Sequence, residues 1–198
     1  MIRLSSERRL RRLSLALVLW ALVLATGCAQ IQMGAPVPSV DNMQLARASG
    51  MPLVALGSFK PAPGVAASLD QGVSVRTNTV YSPYDHSFAK YLKEALAVDL
   101  AAAGLLDPAS RRTIEADLTD SRLDVPSGQA EGSVAARFSV TREGARMFDK
   151  ELRASAQWEA PFVGAEAIPA ALNQYGLLYR KLVRQLLEDR EFQAALRR

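Results

Sequence analysis

Residues 134–158 read VAARFSVTREGARMFDKELRASAQW. Apolar side chains recur there at every second position: Val134, Ala136, Phe138 and Val140, then Phe148, Leu152, Ala154, Ala156 and Trp158. A period of two places them on one face of a strand. Glu143-Gly144 between the two runs suits a tight hairpin turn. The stretch therefore predicts two antiparallel strands, covered on one face and wet on the other. Lys150 is the one exception on the apolar side.

The residues before this hairpin extend the sheet. From Thr113 to Thr119, Ile114, Ala116 and Leu118 alternate with Glu115 and Asp117. The phase slips after Asp120, because Leu123 and Val125 continue in odd register, which predicts a bulge or a strand end. Residues 126–132 read as a loop. Further upstream, residues 51–59 (MPLVALGSF) suit a first strand, residues 60–72 a loop, and residues 73–80 (VSVRTNTV) another strand. Two segments carry helical periodicity. In residues 87–103, Phe88, Leu92, Ala95, Leu96, Leu100 and Ala103 share a face. Asp85 or Ser87 can cap its start, and Gly104 suits the left-handed position after its end. From about Glu166 to Ala195, Ile168, Leu172, Tyr175, Leu178, Tyr179, Leu182, Leu186 and Leu187 form a long stripe, with Pro169 expected in the first turn. The fold class is α+β: an antiparallel sheet of about four strands with two helices packed on one face, in the order β-α-β-β-β-α.

The N-terminus has a different character. Arg3, Arg8, Arg9, Arg11 and Arg12 precede an apolar run at residues 13–25 (LSLALVLWALVLA), followed by Thr26, Gly27 and Cys28. This is the layout of a secretory signal peptide, and the run is short for a membrane-spanning helix. Ala25-Thr26-Gly27-Cys28 resembles the lipobox of bacterial lipoproteins, with Ala25 where that family usually has Leu. The resemblance implies cleavage between Gly27 and Cys28 and acylation of the Cys28 sulfur. The expected organisation is a signal peptide at 1–27, acylated Cys28 and a flexible tether over 28–50, and a single α/β sandwich domain at 51–198. Packing of part of the tether on the domain through Ile31 or Leu45 is the alternative.

Cleavage changes the charge balance. The whole chain carries 24 Lys and Arg against 20 Asp and Glu. Losing the five Arg and one Glu of residues 1–27 leaves 19 of each sign. The basic pI near 9.5 is thus largely a property of the leader, so it does not argue for a nucleic-acid partner. With Cys28 acylated, no thiol remains for disulfides, metals or nucleophilic chemistry.

Little else points to chemistry. The single histidine, His86, sits in the turn Tyr84-Asp85-His86-Ser87. A Ser-His-Asp set can be drawn from Ser82 or Ser87, His86 and Asp85, but sequence neighbours rarely attain that geometry and no nucleophile elbow is present. There is no second His for a zinc site. Asp120 and Asp124 lack the spacing of a calcium loop. The expectation is a protein that is not an enzyme, with no metal and no cofactor apart from the covalent diacylglycerol and N-acyl chain on Cys28. Tyr81, Tyr84 and Phe88, with Tyr91, cluster at the first helix start and are the candidate partner or ligand surface. Packing at the edge of the core is the plainer reading of the same residues. The basic residues near the C-terminus, Arg180, Lys181, Arg184, Arg190, Arg197 and Arg198, suit a solvated helix face.

The lipobox, the Pro-containing tether, the helix FAKYLKEALAVDLAAAGLL (residues 88–106), the FSVTREGARMFDKEL hairpin (residues 138–152) and the long C-terminal helix together resemble the YajG type of small envelope lipoprotein. The layout is also similar to that of the auxiliary lipoproteins of ABC-type lipid transport systems, which carry a Trp shortly before the first helix where this chain has Tyr81 and Tyr84. The resemblance implies an α/β sandwich, a non-catalytic role and a periplasmic location. Ala29, in place of Asp after the acylated cysteine, implies sorting to the outer membrane. The leading expectation is an accessory or adaptor module that is anchored to the membrane by lipid and docks on an envelope protein. The second is a lipid- or glycan-binding lipoprotein, which an open apolar cavity between sheet and helices would favour. An enzyme, resting on His86 alone, is the third.

Overall fold

The computed structural model describes residues 30–197, so the signal peptide, Gly27 and Cys28 lie outside the described residues. The described chain runs β1 (Ile31–Gln32), α1 (Val40–Ala48), β2 (Ala55–Pro61), α2 (Ala67–Gln71), β3 (Val73–Val75), β4 (Asn78–Tyr81), α3 (Phe88–Ala103), β5 (Arg112–Asp124), β6 (Gly128–Arg142), β7 (Ala145–Ala160), α4 (Gly164–Glu188) and α5 (Arg190–Arg197). The expected α+β class stands. Four strands form the main sheet in the order β2-β5-β6-β7, and a smaller sheet has the order β1-β4-β3.

The hairpin pairs as its alternation requires, with Phe138 opposite Lys150 and Val134 opposite Ala154. The inner face of the main sheet is packed by α3 and α4. Ile114, Leu118, Val134, Phe138, Leu96, Leu182 and Tyr175 are all fully buried there. Ser87 caps α3 by accepting from the Lys90 N–H at 3.2 Å. Asp70 on α2 reinforces that end, accepting from the Ala89 N–H at 2.7 Å, where a carboxylate also suits the positive end of the helix dipole. Gly104 closes α3 at φ 76°, the left-handed conformation that a glycine adopts without strain.

Several expectations need correction. The edge pair β2–β5 is parallel, not antiparallel. The chain between them passes through α2, β3, β4 and α3, and a crossover of that kind returns a strand in the same direction. Residues 73–80, expected as one strand, are two: Arg76-Thr77 turns the chain so that β3 and β4 pair antiparallel. Helix α4 begins at Gly164, which puts Pro169 in its second turn. The helix also stops at Glu188, and α5 restarts at Arg190. Asp189 makes this break by accepting from the Phe192 N–H at 3.0 Å and pairing with Lys150 at 2.8 Å. The lysine that interrupts the apolar face of the hairpin is thus the partner of the helix junction above it.

The tether reading of residues 28–50 fails from Ile31 onward. Strand β1 pairs in parallel with β4, Ile31 opposite Val80. Met33 is buried, and so are Asn42 and Ala46 of α1. Polar contacts hold the segment. Asp99 on α3 accepts from the Ser39 N–H at 2.7 Å and from the Asn42 amide at 2.8 Å. Arg47 donates to the Ala102 carbonyl at 2.6 Å, at the C-terminal end of α3. Ile31 and Leu45 pack partly buried against the core, as the alternative reading has it.

Candidate functional site

The aromatic cluster expected as a surface divides in two. Phe88 and Tyr91 are buried. The Phe88 ring packs edge-on to Tyr175 at 5.2 Å between centroids, and Tyr91 meets Tyr179 edge-on at 4.9 Å. Phe88 is therefore a core residue and no part of a surface, because the apolar stripe of α3 begins with it. Tyr84 packs against Tyr91 at 6.2 Å, and Tyr81 lies 4.7 Å from the exposed His86 ring. Only Tyr81 and Tyr84 keep partial exposure. Burial raises the Tyr91 phenol to about 12, and its hydroxyl donates to the Gly34 carbonyl at 3.2 Å. Around His86, each neighbour has another partner. Asp85 pairs with Lys90 at 2.6 Å, Ser82 accepts from the Tyr84 N–H at 3.1 Å, and Ser87 donates to Asp70 at 3.1 Å.

The bulge in β5 assembles a second group of residues. The register slips between Leu118 and Asp120, so Thr119 and Asp120 both face outward and Ser121 turns inward. Ser121 shares a short hydrogen bond with the Tyr175 hydroxyl, which lies 3.2 Å from that of Tyr179. Burial pushes both phenols well above their ordinary pKa. On the outer side Asp120 is only 4% exposed. Arg122 pairs with it at 2.7 Å, Ser133 donates to it at 2.7 Å, and Arg153 makes a further short contact. Its burial works to raise the carboxyl pKa, but the hydrogen bonds from Arg122, Ser133 and Arg153 outweigh it and hold the group below the usual carboxylate range.

Two concavities adjoin these clusters. An open groove of about 1100 Å³ lies between α2–β3 and β5–β7, with Leu69, Arg122, Ser133, Arg153 and Gln157 in its lining. A cleft of about 260 Å³ lies where residues 33–37 cross α3 and α4, lined in part by Pro36, Val37, Tyr91, Leu172, Leu177 and Arg180. Neither opens between the sheet and α3–α4, where side chains fill the space. Among the described residues, no group of three His, Cys, Asp or Glu is placed to hold a metal ion, and no helix is long and apolar enough to cross a membrane.

A further feature escaped the sequence reading. Arg76, in the β3–β4 turn, donates to the carbonyl of Phe162 at 2.7 Å, to that of Pro161 and to that of Val125 at 3.4 Å. It thereby braces the loop between β7 and α4. Phe162 on that loop is 82% exposed and Val163 53%. The signal available in the sequence was APFVGA at residues 160–165, six positions without a charge.

Solved structures of similar fold exist. A crystal structure of a Xanthomonas campestris protein of the family described as DUF330 aligns with a TM-score of 0.52 at 10% identity, covering 80% of this chain and 94% of that one. The likeness is one of fold. A Chlamydia trachomatis protein aligns at 0.48 and 13% identity, covering 74% of this chain and 99% of its own. A minor lipoprotein from Acinetobacter baumannii aligns at 0.44 and 18% identity, covering 72% and 94%. No family model matches the sequence, and no curated protein matches it.

Proposed function

We propose that this chain is a non-catalytic lipoprotein of the bacterial envelope. Acyl chains on Cys28 hold it at the periplasmic face of the outer membrane, and its domain serves as an accessory or adaptor module of a transport or assembly machine. The observation that carries the reading is the N-terminal sequence: an arginine-rich start, a short apolar run, and small residues leading into Cys28, the only cysteine of the chain. Ala29, rather than Asp, supports the outer over the inner membrane.

The packed interior supports an adaptor over a lipid carrier. A carrier needs an apolar cavity with a mouth, whereas Phe138, Leu96, Leu182 and Tyr175 fill the space between sheet and helices. The surfaces left to a protein partner are the open groove beside Arg122 and Arg153 and the cleft beside Val37 and Leu177.

Crosslinking the lipidated protein in living cells tests the reading, with Cys28→Ala as the mislocalised control. Capture of a defined envelope protein that is lost in the control is the expected result. Lipid or glycan co-purifying in place of any protein would overturn the adaptor role in favour of a ligand carrier.

A further inference from the structure

The chain enters the domain at the same end of the molecule that carries its most exposed large apolar side chain among the described residues. Strand β1 is parallel to β4, with Ile31 opposite Val80 and Gln32 opposite Tyr81. Traced backwards from Ile31, the chain therefore heads toward the start of β4 and the Arg76-Thr77 turn. That turn is fastened through Arg76 to the carbonyls of Val125, Pro161 and Phe162. The β3–β4 turn, the β5–β6 connection and the 161–163 loop thus form one end of the molecule. At its tip stand Phe162 and Val163, 82% and 53% exposed, in a six-residue stretch free of charge.

Chain length decides what this end faces. Only Ala29 and Gln30 separate Cys28 from Ile31. Three residue steps span at most about 11 Å. Strand β7 alone has 16 residues, which extend over about 50 Å. Whatever the tilt of the domain, a leash this short leaves the opposite end, with the Glu143-Gly144 turn, free to stand far from the surface that holds the acyl chains. It does keep the Arg76 end beside that surface. Leaving Phe162 in water forfeits the burial free energy of an aromatic side chain, and a bilayer interface recovers it.

We propose that the 161–163 loop is a second, non-covalent membrane contact: Phe162 and Val163 sink into the interface of the bilayer that holds the acylated Cys28, and Arg76 braces the loop for it. The inference rests on the lipid-anchor reading of Cys28. It sets the orientation of the domain, with β5–β7 rising away from the membrane and the groove beside Arg122 and Arg153 held to one side. Because the loop is uncharged, the contact depends on apolar insertion, about 5–10 Å deep, and not on anionic lipid.

The acylated mature chain in phosphatidylcholine vesicles provides the test. Cys28 is the only native cysteine and is blocked by acylation, so Phe162→Cys gives a unique thiol for a polarity-sensitive dye. Arg111→Cys gives a control at the other end, where the Arg111 side chain is 80% exposed. The expected result is a several-fold brighter, blue-shifted dye at 162 that is quenched by shallow spin-labelled lipid, insensitive to salt, with a water-like dye at 111. Equal, water-like signals at both positions on the acylated chain would overturn the membrane contact. The mass of the N-terminal peptide from the same samples separates the two readings: a free Cys28 thiol means that the anchor itself has failed.

Discussion

The two faces of the β5–β7 sheet are built from alternate residues of the same strands and have opposite chemistry. Inward, Ile114, Leu118, Val134, Phe138, Val140 and Ala154 lose all contact with water beneath α3 and α4. Outward, Glu115, Asp117, Arg137, Asp149 and Glu151 make a charged surface whose ion pairs are mostly open to solvent, such as Arg137 with Asp149. Stability is therefore concentrated on the inner face, since exposed pairs contribute little. The bulge at Thr119 is where the faces exchange roles. It turns a polar Ser121 into the core and draws the charged Asp120 into near-complete burial outside. A one-residue slip swaps the side each residue serves, and here it sets polar groups where each face is least suited to them.

Substitutions on the two faces should differ widely in cost. Phe138→Ala should have the largest effect, about 3–5 kcal/mol of lost stability by urea denaturation, because a buried aromatic leaves a cavity among packed neighbours. A loss below about 1 kcal/mol would mean the inner face is not the core. Next comes the double change Arg122→Ala with Arg153→Ala, which leaves the Asp120 carboxylate buried with only Ser133. We expect about 2–3 kcal/mol at neutral pH. That is less than a fully buried pair costs, because the two arginine side chains are 70% and 48% exposed and water replaces them in part. The effect should depend on pH. The Asp120 carboxyl titrates lower folded than unfolded, so its stabilisation is complete above the unfolded value near 4 and is lost as pH falls through the folded one. Parent and double variant should therefore converge in stability below that window. A constant gap down to strong acid would contradict the assignment.

On the inner side, Tyr175→Phe probes the polar group that the bulge turns into the core. It removes the hydroxyl that joins Ser121 to Tyr179 and should cost about 1–2 kcal/mol for the buried groups left without a partner. Thermal denaturation would read this, and an unchanged midpoint would show that the hydroxyl contributes nothing. The smallest effect belongs to the outer face away from Asp120. Gln157→Ala, at an exposed position, should stay within about 0.5 kcal/mol of the parent.

What the sequence revealed followed from how each element is held. Helix α3 was legible from its stripe, with Ser87 and Gly104 at its ends, and the hairpin from its alternation. The β5 bulge was legible within a residue or two from the change of phase alone. Lys150 looked like a flaw in the pattern and is the partner of Asp189 at the α4–α5 break. That break carries no Gly or Pro, so apolar periodicity runs straight through it. The packing of residues 31–48 was obscured because its main links are polar: Asn42 to Asp99 and Arg47 to the end of α3 produce no hydrophobic period. The small sheet was missed because β1 has two residues and β3 three. At the candidate site, Phe88 served two readings at once, and the helical stripe was the correct one. Phe162 is not legible in the sequence, because a single aromatic in a connection resembles ordinary loop until its exposure and the Arg76 brace are known.

Lipid anchoring through Cys28 is tested by the mass of the mature N-terminal peptide from cells expressing the full chain. The expected result is a peptide that begins at Cys28 and carries diacylglycerol and an N-acyl chain, from protein found in the outer-membrane fraction. A mature chain that begins elsewhere, or that bears a free Cys28 thiol and is released as a soluble protein, would contradict it.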